Sequence, residues 1–600
     1  MTRRFAIALL SVLLAIGAGL TPWPAPQGAL DALSRLAALG GPEPLRVAAA
    51  DGATFTLLPE PRLQVAALRI ETSGGEPLLS VERASASVRL ASLFLGAFDV
   101  ADLTLVRPRL AAANAVALAP GLSAAGPGRE ARGGIADLDR VIVMDGEATG
   151  ATMPIQAVNM VLRRRATGID AAGTVRLGGE ALELQIAAPR LNALVSGEYG
   201  PLAASLRTAH GSLDFSGSFA AGPRAPQANG SLTAALSNAP ALMRWLGVDW
   251  PLPLGDSASV TATLRLAGAA VALTDARIQT PAGALDGALS ATLTAGHVGL
   301  SGTLAAERLD LTAALRPLFP ARRADGSWSG EPFDLAALPA GDADLRLSAG
   351  RLTIGKTIFD NAALSLLSRA GRADVTLSSG DFMGGRVKGR ATLVYGEGDG
   401  VDVKALGSFE RVDAALAALA FAGSERLTGA AGGSFAVDGS GASLAALVRS
   451  LDGKASVTIR QGELLGVNLP EVLRRIERRP LIAALDMRGG KTPFDVASFG
   501  GRIGKGVLDI ADGSLASPAT KVLLTGQVGL AERTLQLTGQ VQAADQGREA
   551  VVLPFAVSGS FDEPSVTPNA SALFRKSGAL APQPLPANAV VDADLPLHLP

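Results

Sequence analysis

Alternation of apolar and polar residues with a period of two dominates the chain from residue 47 to about residue 410. In SVTATLRL, residues 259–266, one face of a strand receives the apolar side chains and the other face receives the polar ones. ALSATLT, residues 288–294, repeats this pattern, and glycines separate successive segments. The pattern predicts many short strands joined by tight turns, which is typical of a large antiparallel sheet.

Four segments interrupt the alternation, at residues 121–134, 222–230, 238–253 and 317–339. The third contains Leu242, Trp245 and Leu246 at helical spacing and predicts a short helix, and residues 411–421 predict another. No fixed internal period is found, so the sequence does not favour a solenoid with regular rungs.

Residues 439–469 combine several elements in a short stretch. Ser443 is a good N-cap for a helix that ends at residues 452–453, and the alternation in residues 454–460 predicts a strand directly after it. Gln461 and Gly462 predict a turn before a second strand that begins at Leu464. Asn468 and Pro470 then predict the start of a further helix.

An uncharged run from Phe5 to Leu20 follows Arg3 and Arg4, and Trp23 is placed to lie at a membrane interface. At ~1.5 Å per residue the run spans about 24 Å, against a hydrocarbon core of ~30 Å. It is therefore either a short membrane anchor or a cleaved signal peptide. Both interpretations carry the rest of the chain across the inner membrane. Residues 30–39 predict a short amphipathic helix that caps the first sheet.

Composition narrows the functional classes. The 600 residues carry a formal net charge of -1, so the chain has no positive field for nucleic acid. Hydrophobic residues make up 48% of the chain, whereas aromatic residues make up only 4%. An exposed apolar face of this kind would aggregate, so it packs on a second sheet, closes into a barrel or curls into a trough. The residues alone leave these three alternatives open.

Signals for catalysis or cofactors are weak. GRLTIGKT, residues 350–357, fits the P-loop pattern, but alternation resumes after Thr357 where a helix is required, so a hairpin turn is predicted. His210, His297 and His598 are isolated in sequence and have no nearby cysteine or carboxylate cluster. We therefore expect no catalytic residues, no metal and no cofactor, and we interpret the chain as a non-enzyme.

Motifs between Ser450 and Pro564 resemble the C-terminal region of the AsmA family of bacterial envelope proteins. They include SLDG (450–453), QGE (461–463), GVNL (466–469), TPF (492–494) and VSGSFDEP (557–564). The family-motif positions, for which a structural role is expected, are Gly453, Gly462, Gly466, Leu469, Pro493, Pro518, Gly526, Pro554, Gly559 and Pro564. A weaker match covers residues 54–72 and 86–110.

The resemblance implies a mainly β protein, in which an N-terminal transmembrane helix precedes a long curled antiparallel β-sheet, or β-groove, with a few short helices. It favours the anchor over the signal peptide. The predicted regions are an anchor (1–24), an N-terminal AsmA-like β region with a capping helix (25–120), a middle β-groove (121–410), an AsmA-like C-terminal region (411–568) and a disordered Pro-rich tail (569–600). About 30 strands at ~4.8 Å each would give a groove on the order of 140 Å long.

The resemblance also implies a function. A protein of this kind is expected in the inner membrane as a single-pass protein with its body in the periplasm, where it moves or holds phospholipid between the two membranes. The alternative is an assembly or scaffolding factor that influences the targeting and insertion of outer-membrane proteins through envelope protein partners. Bound lipid on the apolar face would distinguish the first function from the second.

A basic group lies in the last predicted helix of the motif region: Arg474, Arg475, Arg478 and Arg479. These cations favour the C-terminal end of a helix and can pair with Glu471 and Glu477. They can also contact anionic lipid headgroups, and both interpretations stay open.

Overall fold

Strands make up most of the computed structural model. It describes residues 14, 16–26, 46–71, 77–95, 98–111, 138–150, 153–165, 168–190, 193, 197–221, 225–247, 256–294, 297–316, 320, 323, 326–335, 341–369, 371–395, 400–423, 425–478, 489–543 and 552–568. The chain divides into two compact units. The first comprises Met1–Ala314, Ala336–Ile354 and Leu366–Ala370, and the second comprises Leu315–Leu335, Gly355–Ser365 and Gly371–Pro600.

In the first unit each strand pairs with the next one along the chain. The strands are β1 (Trp23–Pro24), β2 (Arg46–Thr56), β3 (Arg62–Glu71), β4 (Pro77–Val88), β5 (Val100–Ala111), β6 (Arg140–Thr149), β7 (Ile155–Arg164), β8 (Ile169–Leu177), β9 (Glu180–Ala188), β10 (Gly200–Thr208), β11 (Gly211–Ala221), β12 (Pro226–Leu236), β13 (Ala258–Ala267), β14 (Ala270–Thr280), β15 (Gly283–Thr294), β16 (His297–Asp310) and β17 (Asp342–Ile354). Its helices are α1 (Leu90–Phe94), α2 (Ala239–Leu246) and α3 (Thr312–Leu315, whose last residue belongs to the second unit).

The second unit continues the same order. After β18 (Thr357–Arg369), whose residues are shared between the units, its strands are β19 (Arg372–Phe382), β20 (Gly385–Val394), β21 (Val401–Asp413), β22 (Ala430–Gly441), β23 (Asp452–Leu465), β24 (Lys491–Gly504), β25 (Val507–Ala516), β26 (Thr520–Gly529), β27 (Thr534–Ala543), β28 (Val552–Ser560) and β29 (Pro564–Pro568). Its helices are α4 (Ala414–Ala422), α5 (Leu444–Arg449) and α6 (Leu469–Arg478). From β19 to β29 the described neighbouring strands pair antiparallel.

The predicted mainly β class with a few short helices is confirmed, but the sheet is mixed rather than purely antiparallel. β5 pairs with β6 in parallel, and β16 pairs with β17 in parallel. A parallel pair needs a long crossover connection, whereas an antiparallel pair needs only a tight turn. The two crossovers lie between Ala111 and Arg140 and between Asp310 and Asp342, where the sequence predicted interruptions without indicating a reversal of strand direction.

The local elements around residue 450 agree with the sequence except at one turn. Ser443 caps α5 by accepting a hydrogen bond from the Ala446 amide, and Asn468 caps α6 by accepting one from the Glu471 amide. The turn predicted at Gln461 and the second strand predicted to begin at Leu464 are both wrong, because β23 runs without a break to Leu465. Gln461 has a positive φ of 52° but stays in the strand, since the residues on either side both pair with β24.

Within the described part of the chain, no helix combines the length and apolar character needed to cross a bilayer. The predicted anchor residues Arg3, Arg4 and Phe5 lie outside the described residues, as do the helix predicted at 30–39 and the tail from 569. Leu20 ends a helical stretch at residues 16–20, and Trp23 begins β1 and pairs with Phe55 of β2. The transmembrane helix therefore stays a prediction.

Candidate functional site

The first unit carries a row of apolar side chains that crosses twelve consecutive strands, from β2 to β13. Directly paired residues on neighbouring strands point to the same face of a sheet, so the strand register defines the row. We call these residues the apolar row: Phe55, Leu63, Ala86, Leu103, Val141, Leu162, Ala171, Ile186, Ala204, Phe215, Leu232 and Ala262. The sequence of a single strand shows only that apolar and polar residues alternate. The register shows that the apolar residues of neighbouring strands lie side by side and form one continuous surface.

The opposite face is different in character. Its matching row consists of Gln64, Ser85, Thr104, Ile142, Val161, Ala172, Gln185, Ser205, Asp214, Thr233 and Thr261. Eight of these eleven side chains are polar, and the three apolar ones lie together on β6 to β8. From β2 to β13 the sheet therefore has one apolar face and one mainly polar face.

Burial changes along the apolar face. At β3 to β5 it forms a core cluster in which Leu63, Val65 and Val81 are almost fully buried. Farther along the sheet the cover is incomplete: Leu213 on β11 is 38% exposed and Leu293 on β15 is 51% exposed. Both residues lie on the apolar side, because Leu213 pairs with Leu206 and Leu293 pairs with Val298. Protein atoms thus cover the apolar face only partly near these two strand ends, whereas Phe215, Leu232 and Ala262 of the apolar row are buried.

The second unit has a comparable row, but a helix covers it. The row runs from β21 to β28 through Val412, Ala431, Ile459, Ala497, Leu515, Val522, Val541 and Leu553, all of which are buried. Leu469, Val472 and Leu473 of α6 pack into the same cluster. In the second unit this row is therefore part of a closed core.

Phenylalanine rings lie over glycines of the neighbouring strand at four places in the second unit. The register pairs Phe435 with Gly407, Phe409 with Gly433, Phe494 with Gly462, and Phe555 with Gly539. A Cβ at Gly407 or at Gly433 would approach the paired ring to 2.7 Å, which is too close for real atoms. These pairs were not predicted from the sequence. A Phe and a Gly at the same distance from the turn in two successive strands would have indicated them.

The basic group of α6 faces away from the core. Both Arg474 and Arg475 are exposed and contact Glu471, at 3.5 Å and 3.1 Å respectively. The side chain of Arg478 and all of Arg479 lie outside the described residues. The described pair thus makes the intrahelical contacts expected of it, and both arginines remain accessible to an outside anion.

The family-motif positions cluster at strand ends and at the start of α6. Gly453 and Gly462 lie in β23, Gly466 follows that strand, and Leu469 begins α6, where it is buried. The others are Pro493 in β24, Pro518 in the turn before β26, Gly526 in β26, Pro554 and Gly559 in β28, and Pro564 at the start of β29. Gly466 has a φ of 91°, a conformation that favours glycine.

Chemistry-bearing side chains do not gather at one point in the described residues. No group of three or more His, Cys, Asp or Glu residues able to hold a metal is found there. His210 contacts Glu180 at 3.5 Å, whereas the His297 side chain and His598 lie outside the described set. The P-loop-like residues lie at the end of β17 and the start of β18, and a strand follows Thr357, as predicted.

Comparison with known proteins gives a family match. Residues 270–512 match the model of the AsmA family, which confirms the resemblance over that range. The match covers β14 to the middle of β25 and includes the motifs from Ser450 to Phe494. No curated protein and no solved structure matches the chain.

Proposed function

We propose that this chain, whose residues 270–512 match the AsmA family model, is a non-enzymatic lipid-handling protein of the cell envelope. In this proposal its N-terminal segment anchors it in the inner membrane, and its body lies in the periplasm. There the apolar face of the first unit holds or passes phospholipid acyl chains toward the outer membrane, which supports outer-membrane biogenesis. No cofactor and no nucleic acid takes part.

The proposal rests on large side chains of the apolar face of the first unit that stay partly exposed. Leu213 and Leu293 would each leave a large apolar surface in water if nothing lay against them. An acyl chain gains about 0.8 kcal/mol for every methylene group that it removes from water, so a chain lying across a few strands would be held by several kcal/mol. The apolar row consists of Phe, Leu, Ala, Val and Ile residues, so it offers no polar side chain that would fix one headgroup in place.

Leu264 on β13 provides a test, because it lies on the apolar side between Gly230 and Leu273 and is only half-buried. Thr263, the next residue, lies on the opposite side and is exposed. We expect phospholipid to co-purify with the full chain and with Thr263→Asp. Leu264→Asp should fold, because its carboxylate reaches water in an open trough, and should retain several-fold less lipid.

The measurement is mass spectrometry of extracted lipids, together with thermal melting of each variant. The wild-type chain and both variants bind the same lipid around the N-terminal segment. Differences in lipid content among the three proteins therefore report lipid bound to the apolar face. If Leu264→Asp fails to fold while Thr263→Asp folds, the face is a closed core, since burying an unpaired carboxylate costs several kcal/mol. A wild-type chain free of lipid on this face would favour the assembly or scaffolding function instead.

A further inference from the structure

The two most exposed large apolar side chains in the described residues, Phe94 and Leu95, lie on α1 and directly after it, and Leu90 of the same helix is also exposed. Phe94 is 84% exposed, Leu95 is 85% exposed, and Leu90 is 53% exposed. Exposed leucines occur singly on many proteins, but three large apolar residues within one turn and its flank form a patch. None of the three side chains is buried, so they contribute little to the core of the sheet.

Strand register places this patch at one edge of the first unit. Thr56 pairs with Arg62, Arg62 with Ser87, and Ser87 with Asp102, so the loop after β2 and the loop between β4 and β5 leave the sheet at the same edge. The loop after β2 carries Leu57, which is also exposed. Two loops therefore present apolar side chains from the same edge.

A rigid frame holds the α1 loop. Arg89, directly before α1, binds Asp99 at 2.7 Å and Asp139 at 2.8 Å. Phe98, on the far side of the loop, packs edge-on against Phe55, with ring centroids 6.1 Å apart. Because both ends of the loop are fixed, the outward position of Phe94 is a property of the fold.

The apolar N-terminal run reaches the body at this same edge. The Gly19 carbonyl accepts hydrogen bonds from the amides of Leu57 and Leu58, at 3.1 Å and 2.8 Å. Trp23 is exposed and pairs with Phe55. Leu14 and Ile16, which shortly precede Gly19 in the sequence, are also exposed.

We propose that this edge, which we call the apolar edge and define by Trp23, Leu57, Leu90, Phe94 and Leu95, docks on the surface of a lipid bilayer and inserts Phe94 and Leu95 among the acyl chains. The inference rests on the proposed membrane attachment of the chain. Trp, Phe and Leu suit the boundary between headgroups and hydrocarbon. The adjoining N-terminal run would tether the apolar edge to the membrane, so the effective concentration of bilayer surface near the edge would be high.

Docking also has a consequence for the apolar row. Its first residue, Phe55, contacts Phe98 directly behind the apolar edge. A docked edge would thus bring the start of the apolar row close to the bilayer surface, where an acyl chain can transfer without crossing water.

The absence of cysteine from the sequence allows a direct test. A single cysteine introduced as Phe94→Cys carries an environment-sensitive fluorophore, and the full chain is reconstituted in vesicles of phosphatidylcholine and phosphatidylglycerol. We expect a blue shift and loss of most of the fluorescence when nitroxide-labelled acyl chains are included. The same label at Thr263→Cys, on the wet side of β13, should be unaffected.

A second set of variants distinguishes insertion of Phe94 and Leu95 into the bilayer from simple closeness to the bilayer, which the N-terminal run alone would cause. With the label at Leu90→Cys, the double substitution Phe94→Asp and Leu95→Asp should reduce quenching to the level of the Thr263 label, while thermal melting stays unchanged. Equal quenching with and without the double substitution, or an unquenched label at Phe94, overturns the proposal. A lipid-free apolar row with a quenched label at Phe94 would refute the proposed function alone.

Discussion

At the scale of single residues, the second unit depends on close approaches between rings and bare backbone. Gly462 lies beneath the buried ring of Phe494, and a Cβ there would come within 2.5 Å of that ring and also collide with the Thr428 carbonyl oxygen. An aromatic ring that covers a glycine in the next strand shields the backbone and fixes the register of the two strands. This explains physically why one family-motif position is a glycine.

We predict that Gly462→Ala lowers the free energy of unfolding by about 1–3 kcal/mol, because the added methyl group would collide with the Thr428 carbonyl oxygen and with the buried ring of Phe494. The matched control is Gly504→Ala at the end of β24, where only the Asp452 carboxylate lies within 4 Å of the new methyl group. Urea denaturation of both variants measures the difference. If the two substitutions have equal effects, the ring contact does not restrict this position.

A second residue-scale feature is a charge cluster on β19 and β20. Asp374, 8% exposed, accepts hydrogen bonds from Arg372, Thr392 and Arg390. Hydrogen bonds from Arg372 and Thr392 stabilise the carboxylate and hold the pKa of Asp374 well below its ordinary value, although partial burial opposes the shift. A depressed pKa in the folded state means that the ionised form stabilises the fold.

We predict that Asp374→Asn lowers the free energy of unfolding by roughly 1.5–3 kcal/mol at pH 7. The wild-type contribution is fully present above the unfolded-state pKa of about 3.9 and is lost as the pH falls below it toward the folded-state pKa. Urea denaturation from neutral to strongly acidic pH should therefore show the two proteins converging below about pH 4. Asp402→Asn, at an exposed site, serves as the control. A difference that is constant with pH would contradict this origin.

At the scale of elements, α6 covers part of the apolar face of the second unit and so closes its core. Its Leu469, Val472 and Leu473 pack on the row that runs from Val412 to Leu553, while Arg474 and Arg475 point outward. One helix therefore combines a core-forming side with a basic side. In the first unit α2 contacts the sheet through Trp245, whose indole nitrogen donates a hydrogen bond to the Leu177 carbonyl oxygen of β8 at 3.0 Å.

We predict that Leu473→Asp destabilises the second unit by several kcal/mol, because it places an unpaired carboxylate in the core. Arg474→Ala, one residue away, should change stability by less than about 1 kcal/mol, since it loses only an exposed contact with Glu471. Thermal melting compares the two. The predicted headgroup contact is measured separately, as loss of binding to phosphatidylglycerol vesicles when Arg474 and Arg475 are both changed to Glu.

The sequence anticipated elements that local chemistry determines. Ser443 and Asn468 cap helices, as their side chains and spacing indicated, and Trp245 lies on a helix in the third interruption. The turn expected at Gln461 and the parallel pairs were not anticipated correctly, because both depend on which strand lies alongside. Pairing between distant residues is also why the apolar row could not be identified: each strand shows its own alternation, but only register aligns Leu63 with Ala86 and Leu103.

At the scale of the whole molecule, the open question in the sequence was whether residues 5–20 are retained. The helical stretch at residues 16–20 makes contacts that a cleaved segment would lose. The Gly19 carbonyl accepts two backbone hydrogen bonds from the loop after β2, and a Cβ at Gly19 would collide with the Leu58 side chain. Removal of this stretch would leave the amides of Leu57 and Leu58 without these partners. This packing favours retention.

We therefore predict that the mature protein begins at Met1 or Thr2 and that protease added to spheroplasts degrades its body. Retention follows from the packing of Gly19 against Leu57 and Leu58, and the orientation follows from Arg3 and Arg4, because positive charges stay on the cytoplasmic side. Mass spectrometry of the N-terminal peptide identifies the first residue, and a cytoplasmic protein serves as the control for spheroplast integrity. A first residue between Gly17 and Gly28 would refute the anchor while leaving the compartment unchanged. A body that resists protease in intact spheroplasts would instead place it in the cytoplasm and remove the basis for lipid transfer between the two membranes.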